Sequence, residues 1–409
     1  GSRRVAIILG GLTFLTMLPV TMMVPVLKET ISVRFAASHF WTVSFMWINM
    51  VGAIVAAPLL GPLTDRFRQR RTTLTIALVI NGILIWTMSQ ATSLPVMLSL
   101  RFLEGASHIV ALSTLMALGA DWAGDGRRGR MMGLLGAALM LGTSVGAPLG
   151  GILGNDHPLR VFHLGAGISV IAGVLAFGLL RRTLPRPRTA RLGDSLRLLS
   201  ECPGLRVAYL YAFIDRLCVG VIVSSFVLFL SDHHHLAPAQ IGLMLACFML
   251  PFALLCYPVG WITDRIGRAG SMCVGSLGFG IVYALYGTLE LNELRVMMVV
   301  SGVLSAIMFA PNLAICADLA PPARRAAAYA GFNMAGSLGF MVGPLLGGIV
   351  AGPLATALNW ETPYTLLFPV IGATEVLCAV LTIPWLLRLR ASSDLGTLGR
   401  AYRAPKCPA

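Results

Sequence analysis

The chain has 409 residues, 56% of them hydrophobic and only 12% charged, with a mean hydropathy of +0.80. A soluble domain needs more polar surface than this to cover its core, so a water-soluble fold is excluded and the bilayer is the natural solvent. The net charge of +14 invites a nucleic-acid reading, which its distribution rejects. All 31 lysines and arginines except Lys28, Arg34, Arg101, Arg160, Arg216 and Arg295 fall in the terminal segments or in 64–71, 120–130, 181–206, 263–269 and 318–325. That is the positive-inside bias of an inserted protein; it puts both termini in the cytoplasm and leaves nothing for a nucleic-acid partner to explain.

A helix of about 20 apolar residues crosses the hydrocarbon. Twelve such runs are read at 5–27, 40–63, 72–90, 95–119, 131–153, 163–180, 207–230, 239–262, 270–289, 295–317, 326–350 and 364–387. They are too long, and alternate too little, to be strands. The first has full membrane length and no small-residue cleavage site, so it reads as a span and not as a cleavable signal.

The second span ends in "GPLTDRFRQRR" (61–71), with Gly61, Asp65, Arg66 and Arg70. So short a loop makes its two helices move together. A carboxylate at its mouth can face the positive end of a helix dipole or an arginine; the plainer alternative is a topological anchor with an incidental aspartate. The fourth span carries "RFLEGAS" (101–107) and leads into "ADWAGDGRRGRMMG" (120–133), which contains Asp121. The fifth carries "GTSVGAPLGG" (142–151), with Gly146, Pro148, Gly150 and Gly151. Glycines let helices approach closely in lipid, and prolines bend them. A basic, proline-broken stretch, 181–206, reads as a cytoplasmic linker with a short surface helix near 193–201.

Past the linker the plan repeats. "GWITDRIGR" (260–268) supplies Gly260, Asp264, Arg265 and Arg268, and "ADLAPPARRAAAYA" (317–330) supplies Asp318, Arg324 and Arg325. "GSLGFMVGPLLGG" (336–348) supplies Gly343, Pro344, Gly347 and Gly348. Asp121 and Asp318, Arg127 and Arg324, and Arg128 and Arg325 are each 197 positions apart. The same offset carries Gly150-Gly151 onto Gly347-Gly348. The chain therefore divides into a six-helix bundle 1–180, the linker 181–206, a second six-helix bundle 207–390 and a cytoplasmic tail 391–409.

On these motifs the chain resembles the major facilitator superfamily over essentially its whole length. The family's loop G-x-x-x-D-R-x-G-R is matched in full by Gly260, Asp264, Arg265, Gly267 and Arg268. The first copy keeps Gly61, Asp65, Arg66 and Arg70 but has Arg68 in place of glycine and Gln69 in place of a basic residue. The resemblance implies an all-α membrane fold of twelve helices in two pseudo-symmetric bundles. It also implies that the charged loops, with "RRAAAYAGF" (324–332), latch the halves together on the cytoplasmic side. In the family, G-P-x-x-G-G in the fifth helix accompanies exporters that exchange substrate for protons. Here the fifth helix has a shifted version and the eleventh the clean one. "RFLEGAS" is similar to a stretch of proton-linked members, and "LPVTMMVP" (18–25) looks like the first helix of twelve-helix drug exporters.

Ionisable groups inside a span cost several kcal/mol unless paired or wetted, so each is a functional candidate. Arg101, Glu104 and His108 share one face of the fourth helix. Asp215 and Arg216, adjacent on the seventh, need separate partners, and Glu375 is alone on the twelfth. A carboxylate that gains or loses an arginine as the halves rock changes its affinity for a proton. Glu104 beside Arg101, and Asp215, are therefore the expected proton sites, and Glu104→Gln is expected to abolish proton-driven uptake. His108 is a relay or a satisfied core histidine, and the trio is alternatively a static ion pair. The expected cavity lies among helices one, four, seven and ten, with Met22, Met23, Tyr211, Phe213, Phe226, Met308, Phe309 and Asn312 as lining candidates. Glu375 is a counterion for a cationic substrate or is hydrogen-bonded to a neighbour. "SDHHHLAP" (231–238) reads as a solvated loop, with no metal expected, and the eight cysteines as small apolar residues.

These readings imply a secondary transporter and not an enzyme. It has no cofactor, the transmembrane proton gradient as energy source, and lipid, protons and a small lipophilic or amphipathic substrate as partners. A monomer in a bacterial-type inner membrane is expected. An exporter of a specific metabolite, siderophore or lysolipid, an importer, and a non-transporting sensor stay open as alternatives.

Overall fold

The computed structural model describes residues 2–66, 70–123, 128–180, 198–320, 325–357 and 363–398. Among them there is no strand. The helices are α1 (Ser2–Met22), α2 (His39–Arg66), α3 (Arg70–Ser89), α4 (Leu94–Ala123), α5 (Arg128–Gly154) and α6 (Arg160–Leu179). Then follow α7 (Leu205–Asp232), α8 (Pro238–Ile266), α9 (Arg268–Ala284), α10 (Leu291–Leu319), α11 (Arg325–Ile349) and α12 (Tyr364–Leu398). A π-helical turn, Ile222–Phe226, interrupts α7; others lie at Lys28–Val33 and after α11 at Val350–Leu354.

Among the described residues, eleven helices are long and apolar enough to cross a membrane. The expected ninth span is shorter than its run of apolar residues suggested. α9 stops at Ala284, because Leu285 to Thr288 form turn hydrogen bonds, leaving 17 residues. At 1.5 Å per residue that is about 25 Å, the lower limit for a crossing. The polarity pattern is inverted relative to a soluble protein. Ile76, Ile80 and Ile83 of α3, Ile171 and Val174 of α6, and Leu377 and Leu381 of α12 are exposed, whereas Asn49, Asn81, Glu104, Asp215 and Glu375 are buried.

Two compact units emerge. Unit 1 holds residues 1–187, 223–250 and 347–352; unit 2 holds 188–222, 251–346 and 353–409. The chain changes unit within α7, α8 and α11. In unit 1, α1 packs on α5, α2 on α4 and α3 on α6. The glycines of α5 set the first contact: a Cβ at Gly146 would lie 2.7 Å from the Leu18 carbonyl, and one at Gly150 would collide with that of Met22. In unit 2, α9 packs on α10 and α12. There α11 meets α7 as α5 meets α1, a Cβ at Gly343 colliding with the Leu217 carbonyl. Gly348 belongs to unit 1, where its side-chain space is taken by Val43 and Phe40.

Of the linker helix expected near 193–201, only 198–201 lie within the described residues, and they are helical. Leu198 is buried in a cluster with Leu205, Tyr209, Cys316 and Phe332. Among the described residues six cysteines are free, whereas Cys202 is disulfide-bonded and so departs from the reading of all eight as apolar filler.

Candidate functional site

In unit 1 two of the expected trio on α4, Arg101 and Glu104, are the heart of a larger network. Arg101 Nη1 donates to Glu104 Oε2 at 2.9 Å. Asn49 Nδ2 of α2 donates to the same oxygen at 2.5 Å, and Asn81 Nδ2 of α3 donates to Oε1 at 3.0 Å. Asn81 Oδ1 in turn accepts from Ser169 of α6 at 3.1 Å. Arg101 is held further by the Phe45 carbonyl, by Met23 Sδ and by the Phe45 ring, 4.4 Å from its guanidinium carbon. Both charged side chains are shielded from solvent. His108 is buried on the same helix.

In unit 2, Asp215 Oδ1 of α7 accepts from Ser305 of α10 at 3.3 Å, while among the described residues Oδ2 has no hydrogen-bond partner. Its neighbour Arg216 lies 3.9 Å away through Nε and stacks over Phe309, 4.9 Å from the ring centroid. Glu375 is not on an open face. Its Oε1 accepts from Ser276 of α9 at 2.5 Å and its Oε2 from the Cys218 thiol of α7 at 3.7 Å. Tyr211 is likewise turned into the packing, hydrogen-bonded to Thr382 of α12 at 2.8 Å, and Met308 shares its buried cluster. Among the lining candidates of unit 2, Phe213 and Phe309 are half-buried, and Asn312 donates Nδ2 to the Ala208 carbonyl at 3.1 Å with Oδ1 unbonded. Met22, Met23 and Phe226 are fully buried within unit 1.

The charged loops yield a repeated ion pair. Arg70 Nη1 meets Asp121 Oδ2 at 2.5 Å in unit 1, and Arg268 meets Asp318 in unit 2. In both, an arginine at the end of the charged loop, Arg268 within the motif and Arg70 one position beyond it, reaches the aspartate near the end of the second helix after it. Arg265 lies over the Trp261 ring, 3.7 Å from its centroid. Gly267 has φ +111° as it opens α9, a conformation that suits glycine and not the arginine found at the matching position of the first copy. The side chains of Gly61, Asp65, Arg66, Asp264 and Arg325, and all of Arg324, lie outside the described residues. So does the latch expected of them.

Sequence reasoning overlooked Asn49, Asn81, Ser169, Ser276 and Ser305, the neutral partners of the buried carboxylates. Their signal is an amide or hydroxyl within an apolar run, as in "WINM" and "VINGIL". It also overlooked Lys28 and Asp232, which form a 2.6 Å ion pair within unit 1. The three-histidine segment packs on an aromatic ring: His233 stacks on Phe229 at 5.1 Å and His234 meets it edge-on at 5.0 Å.

The sequence profile of the Major Facilitator Superfamily matches residues 7–205 and 208–408. The chain belongs to the major facilitator superfamily. This all-α membrane fold accounts for the paired packing of α1 with α5 and α7 with α11, and a facilitator is a transporter and not an enzyme. Among relatives of this facilitator, the tetracycline resistance protein, class G, of Vibrio anguillarum is 28% identical over 269 residues, covering 63% of this chain and 67% of the relative. Multidrug resistance protein 2 of Bacillus subtilis is 22% identical, covering 85% and 89%. Among solved structures, the nucleoside transporter NupG superposes with a TM-score of 0.73 at 16% identity, covering 93% of this chain and 98% of that one.

Proposed function

We propose that this facilitator exports small lipophilic or amphipathic molecules in exchange for protons, by alternating access. It works as a monomer in a bacterial-type inner membrane with both termini cytoplasmic, driven by the transmembrane proton gradient. The bundles 1–180 and 207–390 are its moving bodies, the glycine contacts of α5 with α1 and of α11 with α7 pack each bundle internally, and the charged loops are the cytoplasmic gate. Relatives named for tetracycline and multidrug resistance support export.

The observation that carries the exchange reading is Asp215. It is a buried carboxylate in mid-span with one oxygen unbonded, beside an arginine that is neither fully buried nor hydrogen-bonded to it. Such a group holds a proton when its arginine withdraws and gives it up when a donor approaches. Glu104, by contrast, is saturated by Arg101, Asn49 and Asn81, which favours the static-pair alternative for the fourth helix.

The test is reconstitution in liposomes containing a pH-sensitive dye, with compounds drawn from lipophilic cations, lysolipids, siderophores and sugars. Compound-dependent proton flux is expected in the parent and absent in Asp215→Asn. Undiminished flux in that variant removes Asp215 from the mechanism, and silence across every class removes the exchange reading.

A further inference from the structure

The exposed part of the Asp215–Arg216 pair has a geometry that selects a substrate class. Arg216 is the twelfth residue of α7, about 16 Å along the helix from its first, which is near the middle of a hydrocarbon layer about 30 Å thick. A guanidinium there needs either partners that use its donors, as Arg101 has, or a face that meets water or a polar ligand. Its side chain is 20% exposed. Of its five N–H donors, none makes a hydrogen bond among the described residues; its contacts are the Phe309 ring and the distant Asp215 oxygen. Asp215 Oδ2, 3.9 Å from Arg216 Nε, has no donor of its own.

An unspent donor set and an unspent acceptor thus stand side by side above an aromatic floor. Phe309 is itself flanked edge-on by Phe252 at 5.6 Å and Phe332 at 6.1 Å, which fixes the plane of its ring. One turn along α10, the unbonded Asn312 Oδ1 is a further buried acceptor on the Phe309 side of the helix. Its amide nitrogen is committed to the Ala208 carbonyl, so the free atom is the oxygen.

We propose that this face of unit 2 binds a zwitterion with an aromatic body. The acid group lies on the Arg216 guanidinium, the ammonium on Asp215 Oδ2, and the ring on Phe309. Charge balance decides against simpler ligands. The Asp215–Arg216 pair is neutral overall, and a ligand of net charge adds an uncompensated ion in a medium of low dielectric. A zwitterion adds none, and its two charges are antiparallel to those of the pair. This rests on the transport reading of the same face, to which it adds the chemistry of the cargo.

The test is equilibrium binding to the purified protein in nanodiscs, without a gradient, read from naphthyl fluorescence. Three probes share one body: 2-naphthylalanine (zwitterion), 3-(2-naphthyl)propionate (acid only) and 2-(2-naphthyl)ethylamine (amine only). The zwitterion is expected to bind at least about tenfold more tightly than either single-charge probe. Arg216→Gln is expected to reverse the order in favour of the amine, and Asp215→Asn in favour of the acid, a split that mere loss of structure does not produce. Equal binding of amine and zwitterion by the parent overturns the proposal, as does an unchanged probe order in both variants. If neither variant folds, the parent's order of the three probes still decides. Proton flux lost with zwitterion binding intact refutes only the exchange reading; flux intact with no zwitterion preference refutes only this inference.

Discussion

Glu104→Gln isolates what the polar network of unit 1 is worth. The carboxylate is fully buried and collects three donors, Arg101 and Asn49 on Oε2 and Asn81 on Oε1. Glutamine keeps the shape but offers one acceptor oxygen, and its NH₂ confronts donors on the other side. Arg101 retains the Phe45 carbonyl, the Phe45 ring and Met23, none of which carries a compensating charge. Removing one partner of a buried ion pair costs about 3–5 kcal/mol. A loss of about 4 kcal/mol shifts the unfolding equilibrium roughly a thousandfold. Replacing both partners by methionine removes the charge problem and leaves mainly Asn49 unsatisfied, about 1–3 kcal/mol. Asn81 keeps Ser107 at 3.2 Å. The double variant should therefore be more stable than Glu104→Gln. Equilibrium unfolding in mixed micelles measures both. A Glu104→Gln protein within about 0.5 kcal/mol of the parent would show that the pair is not the structural clamp described, since surface positions show changes of that size. So would a double variant weaker than either single one. Transport separates the roles: a folded Glu104→Gln protein should keep pH-gradient-driven flux that Asp215→Asn loses.

The two copies of the loop ion pair should differ in worth. Arg70 and Asp121 are largely buried, whereas Arg268 is half-buried and Asp318 exposed, so Arg70→Ala should cost more than Arg268→Ala, which should cost about 1 kcal/mol or less in the same unfolding assay. Gly150→Ala and Gly343→Ala should each lose about 1–3 kcal/mol, because the added methyl meets a backbone carbonyl; Gly136→Ala, with nothing within 4 Å, should lose nothing. Equal effects at all three glycines would refute the close-packing account. Outside the spans, burial pushes the Glu29 carboxyl up, with Asp232 adding to the rise and its own backbone hydrogen bond and Lys28 opposing it. A raised carboxyl stabilises the fold in acid and loses that contribution as pH rises through its folded value. Melting curves of parent and Glu29→Gln from about pH 4 to about pH 8 should therefore diverge, the parent weakening relative to glutamine on the alkaline side. Parallel profiles would refute it.

What was legible beforehand follows from how each signal is written in a chain. Apolar length and loop charge accumulate residue by residue, so the spans and the repeated halves could be read directly. α9 was overestimated because composition does not mark where Leu285–Thr288 turn. The face of a buried side chain was harder. In a helix surrounded by lipid, packed neighbours and a substrate path, all three faces are apolar, and the 3.6-residue period loses its contrast. Sequence therefore does not separate Tyr211 and Met308, which pack in the core that holds Thr382 and Met272, from residues that line a cavity. The charges were conspicuous, but Asn49, Asn81, Ser276 and Ser305 were not, since neutral amides and hydroxyls hardly disturb a hydropathy profile.

The loop pairs make the same point constructively. Alignment of the halves already set Asp121 opposite Asp318 and the two arginine-ended motifs opposite each other. A contact made in one half and repeated at equivalent places in the other is a candidate for structural necessity, whereas one made once is a candidate for function. Arg70–Asp121 and Arg268–Asp318 pass the first test with the arginine displaced by one position, since Gln69 stands where Arg268 does in the second copy. Asp215 and Arg216 pass the second, because Leu18 and Pro19, 197 positions earlier on α1, carry no charge at all. The same offset carries Arg101 and Glu104 onto Met298 and Ser301, so that pair too is made only once; what separates Asp215 from the saturated Glu104 is the oxygen left unbonded among the described residues, and on that ground we propose the unit 2 face for substrate.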